Sequence, residues 1–314
     1  MPLHPQAQAV IKGVESMGLP PLETLPIEEQ RAAIESFRSF MIPPEDVATV
    51  EDVEIPGPEG GIPVRIYTPE GDGLKPAVLY FHGGGFATGS IEVVDPVCRA
   101  LANRSGCIVV SVDYRLAPEH PYPSAVQDAY VATAWVYAYG GGFGVDSNQL
   151  AVVGDSSGAT LATAACMLIR DKADEVVIGL QVLLCSVTDL VMTDTDSYKQ
   201  YGEGHLLTTG MMQHWKELYL TGVEDRVDEP YCSPVRTRDF TSLQPAIIVT
   251  AEYDPLRDEG EAYGQLLLRD GVPTYIRRQD GMIHNFHWMG AAIDRGREII
   301  DEIAADLRTT LVNY

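Results

Sequence analysis

The sequence predicts an α/β protein: a mostly parallel sheet of eight strands with helices on both faces and a helical cap above one end. Three observations point there. Short apolar runs alternate with helix-period stretches through most of the chain, the order that builds a parallel sheet covered on both sides. The run GDSSG at 154–158 joins one such strand to one such helix. One segment, 189–233, is too long to be a simple connection in a compact domain and is rich in Tyr, Thr and Met.

The first forty or so residues carry apolar positions at helical spacing, such as Ile34, Phe37, Phe40 and Met41, interrupted by Pro20, Pro21 and Pro26, so broken helices are expected. Strand-like runs follow at 50–55, 63–67, 77–81, 107–113, 150–153, 178–184, 246–250 and 274–277. Helical stretches fall at 94–103, 125–139, 159–171, 259–269 and 292–311. Nothing between the motifs reads as a flexible linker or a repeat, so the chain is expected to form one unit. Its cap would come from 1–45 and 189–233, and its core from 46–188 and 234–314. Within the long insertion, helical spacing at 211–220 makes Met211, Trp215 and Tyr219, with Phe86, candidates to line a substrate pocket, although such a stripe also serves plain packing.

Two motifs carry chemistry. In GDSSG, the flanking glycines leave room for a sharp strand-to-helix turn that lifts Ser156 above the sheet edge, and the helix begun there aims free N–H groups at developing negative charge. About seventy residues earlier, His82-Gly83-Gly84-Gly85-Phe86 follows the apolar run 77–81. Three consecutive glycines are costly in backbone entropy, a cost borne where backbone must come close to something. The N–H groups of Gly83 and Gly84, aimed at a carbonyl oxygen, would supply such a reason. A phosphate cradle would need a GK[ST] ending or GxGxxG spacing, and neither is present.

HGGGF, the stretch YRLAPEHPYP at 114–123, GDSSG and DPLRDE at 254–259 resemble, in that order, the hormone-sensitive-lipase family of α/β-hydrolase esterases. The resemblance implies the α/β-hydrolase fold and a serine esterase for short- and medium-chain carboxylic esters that needs no cofactor. It also makes a homodimer, paired through the last sheet strand, an expectation. Where the family usually has Ala after the nucleophile, this chain has Ser157. The backbone N–H used by an oxyanion hole is retained, while an added hydroxyl beside the reacting centre would bear on substrate preference. The same residues would serve an amidase, deacetylase or lactonase. The gibberellin receptors, which resemble this family but have lost the histidine, show a binding-only use of the fold.

A serine hydroxyl needs a base, itself oriented by a carboxylate. His284 follows the last strand-like run, where this fold's order of serine, acid, histidine places the base, and His287 is its nearest rival. Asp254, just beyond the run 246–250, is the expected acid, whereas Asp258 and Glu259 suit the first turn of a helix. Asp155, adjacent to the nucleophile on a sharp turn, is expected to be a structural acceptor. Arg115, Glu119 and Asp128 are expected to pin a loop through ion pairs.

Composition excludes other classes. A net charge of −23 works against nucleic acid and anionic lipid surfaces. No apolar run approaches the roughly eighteen residues that span a bilayer, and the start MPLHPQAQAV lacks a basic region followed by an apolar one, so a cytoplasmic location is the default expectation. Cys98, Cys107, Cys166, Cys185 and Cys232 are odd in number, widely spaced and without a CxxC pair, and are expected to be reduced core residues. HExxH is absent, and no metal site is expected.

Overall fold

The computed structural model of the chain describes residues 1–191 and 194–311. Eight strands form a single sheet: β1 (Thr49–Gly57), β2 (Gly60–Thr68), β3 (Lys75–Phe81), β4 (Ile108–Val112), β5 (Val145–Asp155), β6 (Ile178–Leu184), β7 (Ala246–Tyr253) and β8 (Thr274–Ile283). Their spatial order is β1-β2-β4-β3-β5-β6-β7-β8. β1 with β2 and β2 with β4 pair antiparallel, and every later pair is parallel. Each strand-like run of the sequence lies on one of these strands.

Strand periodicity divides the core into two layers. In β3, Leu79 and Phe81 face one layer and Val78 and Tyr80 the other, as side chains of a pleated strand must alternate. The first layer is closed by α4 (Ser124–Tyr139), α5 (Ser157–Lys172) and α8 (Arg257–Arg269), through residues such as Ala129, Leu161 and Leu267. The second is closed by α3 (Ile91–Ser105) and α9 (Asp294–Leu311), through Val94, Leu101, Ile299 and Ile303. Burial on both faces explains why β3, β4 and β6 read as nearly continuous apolar runs, with Ser111 of β4 and Gln181 of β6 as buried polar exceptions. The crossover pattern puts the carboxyl ends of β3, β5, β6, β7 and β8 on one side, where the loops that follow them meet.

Two helices precede the sheet, α1 (Pro5–Ser16) and α2 (Ile27–Ser36), and two lie in the long insertion, α6 (Asp196–Tyr201) and α7 (Thr209–Tyr219). α2 and α7 are joined by the Trp215 Nε1–H, which donates to Gln30 Oε1 at 3.0 Å, and by a 2.9 Å contact between Gln30 Nε2 and His214 Nε2. α1 instead enters the second core layer through Ala7, Val10 and Ile11, and His4 N–H donates to the Gly281 carbonyl at 3.0 Å. The first segment of the expected cap is thus anchored to the sheet side. Arg115 pairs with Asp128, and Arg31 with Glu119, pinning the proline-rich loop.

Candidate active site

The elbow at Ser156 is a forced conformation. Ser156 has φ 51°, in the left-handed region that L residues seldom adopt, between β5 and the first turn of α5. A Cβ on Gly158 would lie 2.0 Å from the Phe81 carbonyl oxygen, and one on Gly154 would lie 2.3 Å from the Gly158 carbonyl oxygen. Only glycine fits at either place. The Ser156 N–H donates to the Leu184 carbonyl at 2.8 Å, which ties the elbow to the end of β6.

His284 leaves the end of β8 and Asp254 the end of β7. His284 Nε2 lies 3.2 Å from Ser156 Oγ, and His284 Nδ1 lies 2.8 Å from Asp254 Oδ2. The Leu256 N–H donates to Asp254 Oδ1 at 2.9 Å, fixing the carboxylate plane. With Nδ1–H donating to Asp254, the Nε2 lone pair is directed to the serine hydroxyl, the arrangement a general base requires. Exposure is 4% for Ser156, 1% for Asp254 and 8% for His284, so the relay is nearly dry. His287, the rival base, is fully buried against Phe286 and Trp288. Among the described residues neither of its ring nitrogens has a hydrogen-bond partner, and burial lowers its pKa to about 3.

Asp155 is a knot between loops. The Tyr80 hydroxyl donates to its Oδ1 at 2.8 Å and the Asn285 Nδ2 amide to its Oδ2 at 3.1 Å. Burial raises its pKa to about 7, against the pull of the Tyr80 hydroxyl, the His284 ring and the Gly83 N–H. Gly83 lies against this carboxylate: a Cβ there would meet Asp155 Oδ2 at 2.3 Å and the Ser156 Cβ at 3.1 Å, so only glycine fits beside the nucleophile. Gly84, at φ 129°, could not carry a side chain: a Cβ there would meet the Thr88 carbonyl at 2.2 Å, and its own carbonyl accepts from Thr88 N–H and Oγ1. Ser157, next to the nucleophile in the chain, is fully buried, and its hydroxyl has no hydrogen-bond partner among the described residues. Tyr114 donates to the His82 carbonyl at 2.6 Å and stacks on the His82 ring at 4.3 Å.

The four expected pocket residues do not behave alike. The Phe86 ring stacks on Tyr219 at 3.8 Å, Trp215 lies where a Cβ of Gly85 would be, and all three rings are buried. They form a closed aromatic layer on the glycine loop, with Met211 half-buried at its margin. A surface cavity of about 370 Å³, lined by Tyr122, Val126, Tyr130, Leu168 and Tyr231, includes none of the three relay residues. Two further elements were hidden in the sequence. Glu259 of α8 accepts the Thr188 and Asp189 N–H groups at 2.7 and 3.2 Å, holding the start of the insertion to the helix behind Asp254. Cys185, at φ 46°, brings its thiol within 4.8 Å of the Asp254 and His284 donor atoms. All five cysteines are free and buried.

Residues 78–288 match a family described as alpha/beta hydrolase fold. The chain belongs to that family, in its hormone-sensitive-lipase-like esterase branch. Among relatives of this α/β hydrolase, an arylesterase of Saccharolobus solfataricus is 33% identical over 287 residues, covering 91% of this chain and 92% of its own. An ethyl acetate hydrolase of Pseudomonas putida is 34% identical over 307 residues, covering 95% and 96%. The solved structure of a hyperthermophilic esterase from the archaeon Pyrobaculum calidifontis superimposes with a TM-score of 0.93 at 39% identity, over 98% of this chain and 99% of that one. The eight-stranded sheet of this hydrolase is therefore the family's sheet.

Proposed function

We propose that this chain is a serine carboxylesterase acting on short- to medium-chain carboxylic esters. Ser156 Oγ attacks the ester carbonyl while His284 Nε2 takes its proton, and Asp254 orients the imidazole and stabilises its charge. The N–H groups of Gly83, Gly84 and Ser157 receive the oxyanion, and the dipole of α5 adds to them. His284 then protonates the leaving alcohol. Water, deprotonated by the same ring, releases the acid from the acyl-enzyme. The sequence of steps needs no metal or organic cofactor.

One observation carries this function: a hydroxyl, an imidazole and a carboxylate in line, at 3.2 and 2.8 Å, on a strained elbow. Residues 1–45 and 189–233 act as the cap that excludes water, with the aromatic layer of Phe86, Trp215 and Tyr219 setting its depth over the serine. No helix among the described residues is long and apolar enough to cross a membrane, in keeping with action in the cytoplasm on small-molecule esters. β8 ends the sheet with an open edge, suited to pairing with a second copy.

Hydrolysis of nitrophenyl esters from acetate to palmitate by the wild type and by Ser156→Ala tests the proposal. Activity should peak below about ten acyl carbons and fall at least about a thousandfold in the variant. Retention of most activity in Ser156→Ala would remove the serine mechanism.

A further inference from the structure

The geometry points to a soft-metal site on the far side of the catalytic pair. We propose that Cys185 Sγ, an Asp254 carboxylate oxygen and the His284 Nδ1 bind one thiophilic divalent cation, Zn²⁺ or Cd²⁺, and that its binding switches the hydrolase off. The three donor atoms lie within 4.8 Å of one another, and among the described residues no other three His, Cys, Asp or Glu side chains meet in this way. Tetrahedral zinc holds its ligands at about 2.0–2.3 Å, which puts neighbouring donors roughly 3.5 Å apart, so the thiol has to close in by no more than about an ångström while the Nδ1–carboxylate pair, now at 2.8 Å, opens slightly. One thiolate, one imidazole and one carboxylate make a three-ligand set with an open fourth position, and the sulfur selects zinc or cadmium over magnesium or calcium.

The backbone presents the thiol deliberately to this place. Cys185 sits just past the end of β6 in the left-handed region, pinned by its N–H donating to the Val249 carbonyl at 2.8 Å. The next strand, β7, carries Asp254 beyond its end, and β8 beside it carries His284. Cys185 is 1% exposed, and burial together with the nearby Asp254 charge pushes its thiol pKa well above the ordinary value. Without a metal it is an inert proton-bearing group.

Binding is a balanced exchange. The Cys185 S–H bond breaks and an S–metal bond forms, releasing one proton to solvent. The Nδ1 proton of His284 moves to Nε2 as Nδ1 takes the metal. Nε2 then has no lone pair for the Ser156 hydroxyl, and Asp254 no longer orients the ring. Loss of turnover follows from both changes.

This inference rests on the proposed esterase activity only for its inhibition readout. The full chain is titrated with cadmium chloride in buffer free of thiols and chelators. Sulfur-to-cadmium charge-transfer absorption, proton release and nitrophenyl acetate hydrolysis are followed together. The expected result is one cadmium and one proton per chain, turnover lost at the same stoichiometry, recovery with EDTA, and no comparable effect of magnesium. In Cys185→Ser and Cys185→Ala, each measured against its own metal-free rate, the charge-transfer band is lost and half-inhibition needs at least about a hundredfold more cadmium. A wild type without the band at one equivalent, inhibition shared with magnesium, or variants inhibited at the wild-type concentration would overturn the site. Should neither variant fold, the wild-type band and its stoichiometry still decide. If the chain hydrolyses no ester, the absorption and proton measurements test the metal site independently.

Discussion

At the scale of single residues, two histidines three apart in sequence have opposite environments. His284 has a carboxylate on one nitrogen and a hydroxyl on the other, while both ring nitrogens of His287 are without partners among the described residues. That contrast has a thermodynamic consequence. An unfolded His287 takes up a proton below about pH 6.5, whereas in the folded protein burial delays uptake to about pH 3. Between those values the unfolded state binds more protons, so stability is lost as pH falls through that window. Replacing His287 by Met should therefore flatten the acid limb of the stability profile by about 1.4 kcal/mol per pH unit below pH 6, read by urea unfolding at pH 6.5, 5.5 and 4.5. Equal slopes in the two proteins would contradict the buried-neutral assignment. Asp155, raised to about 7, has the opposite sign: between about pH 4 and 7 the native state keeps a proton that the unfolded state has released, so stability falls as pH rises over that interval. Because both proteins keep Asp155, the comparison isolates His287.

At the scale of elements, the junction of β5 and α5 depends on glycines that nothing larger can replace. Gly158→Ala would force a Cβ to 2.0 Å from the Phe81 carbonyl and 2.5 Å from that of His82, both backbone atoms of the strand and loop that carry the proposed oxyanion pocket. A loss of at least about 3 kcal/mol in unfolding free energy is expected, together with most activity. Gly142→Ala, where a Cβ would have nothing within 4 Å, serves as the control and should differ from wild type by less than about 1 kcal/mol. A tolerated Gly158→Ala would contradict the close-packed elbow. The same elements mark what the sequence could disclose. β3, β4 and β6 were legible because burial on both faces writes an apolar run, and α3, α4, α5, α8 and α9 because their apolar faces recur at helical period. The first half of β5, with Asp146, Ser147, Asn148 and Gln149, is polar and gave no strand signal. α6 is a six-residue helix, too short for periodicity to register. The links from Asp155 to Asn285 and from Cys185 to the Asp254–His284 pair join residues far apart in sequence through sheet order, which local pattern does not encode.

At the scale of the whole molecule, a charge of −23 is spread over a surface whose arginines are largely committed to carboxylates, as in the pairs Arg104–Asp301, Arg277–Asp306 and Arg295–Glu302. The unpaired acidic excess repels itself, and salt shortens that repulsion from about 10 Å at 0.1 M to about 3 Å at 1 M. Thermal unfolding in sodium chloride over this range should show a rising midpoint, whereas a falling one would mean that the ion pairs outweigh the net repulsion. The central claim nonetheless concerns one hydroxyl positioned by distant parts of the chain: β5 supplies it, β8 its base and β7 the carboxylate behind the base. Its most direct measurement is the intact mass of the protein quenched within the first turnover of nitrophenyl acetate, with peptide mapping of the adduct. One acetyl group per chain on Ser156 is predicted for the wild type, with none on that time scale for His284→Ala. An unmodified wild-type protein that is turning over ester, or an acetyl group on another residue, would contradict the account.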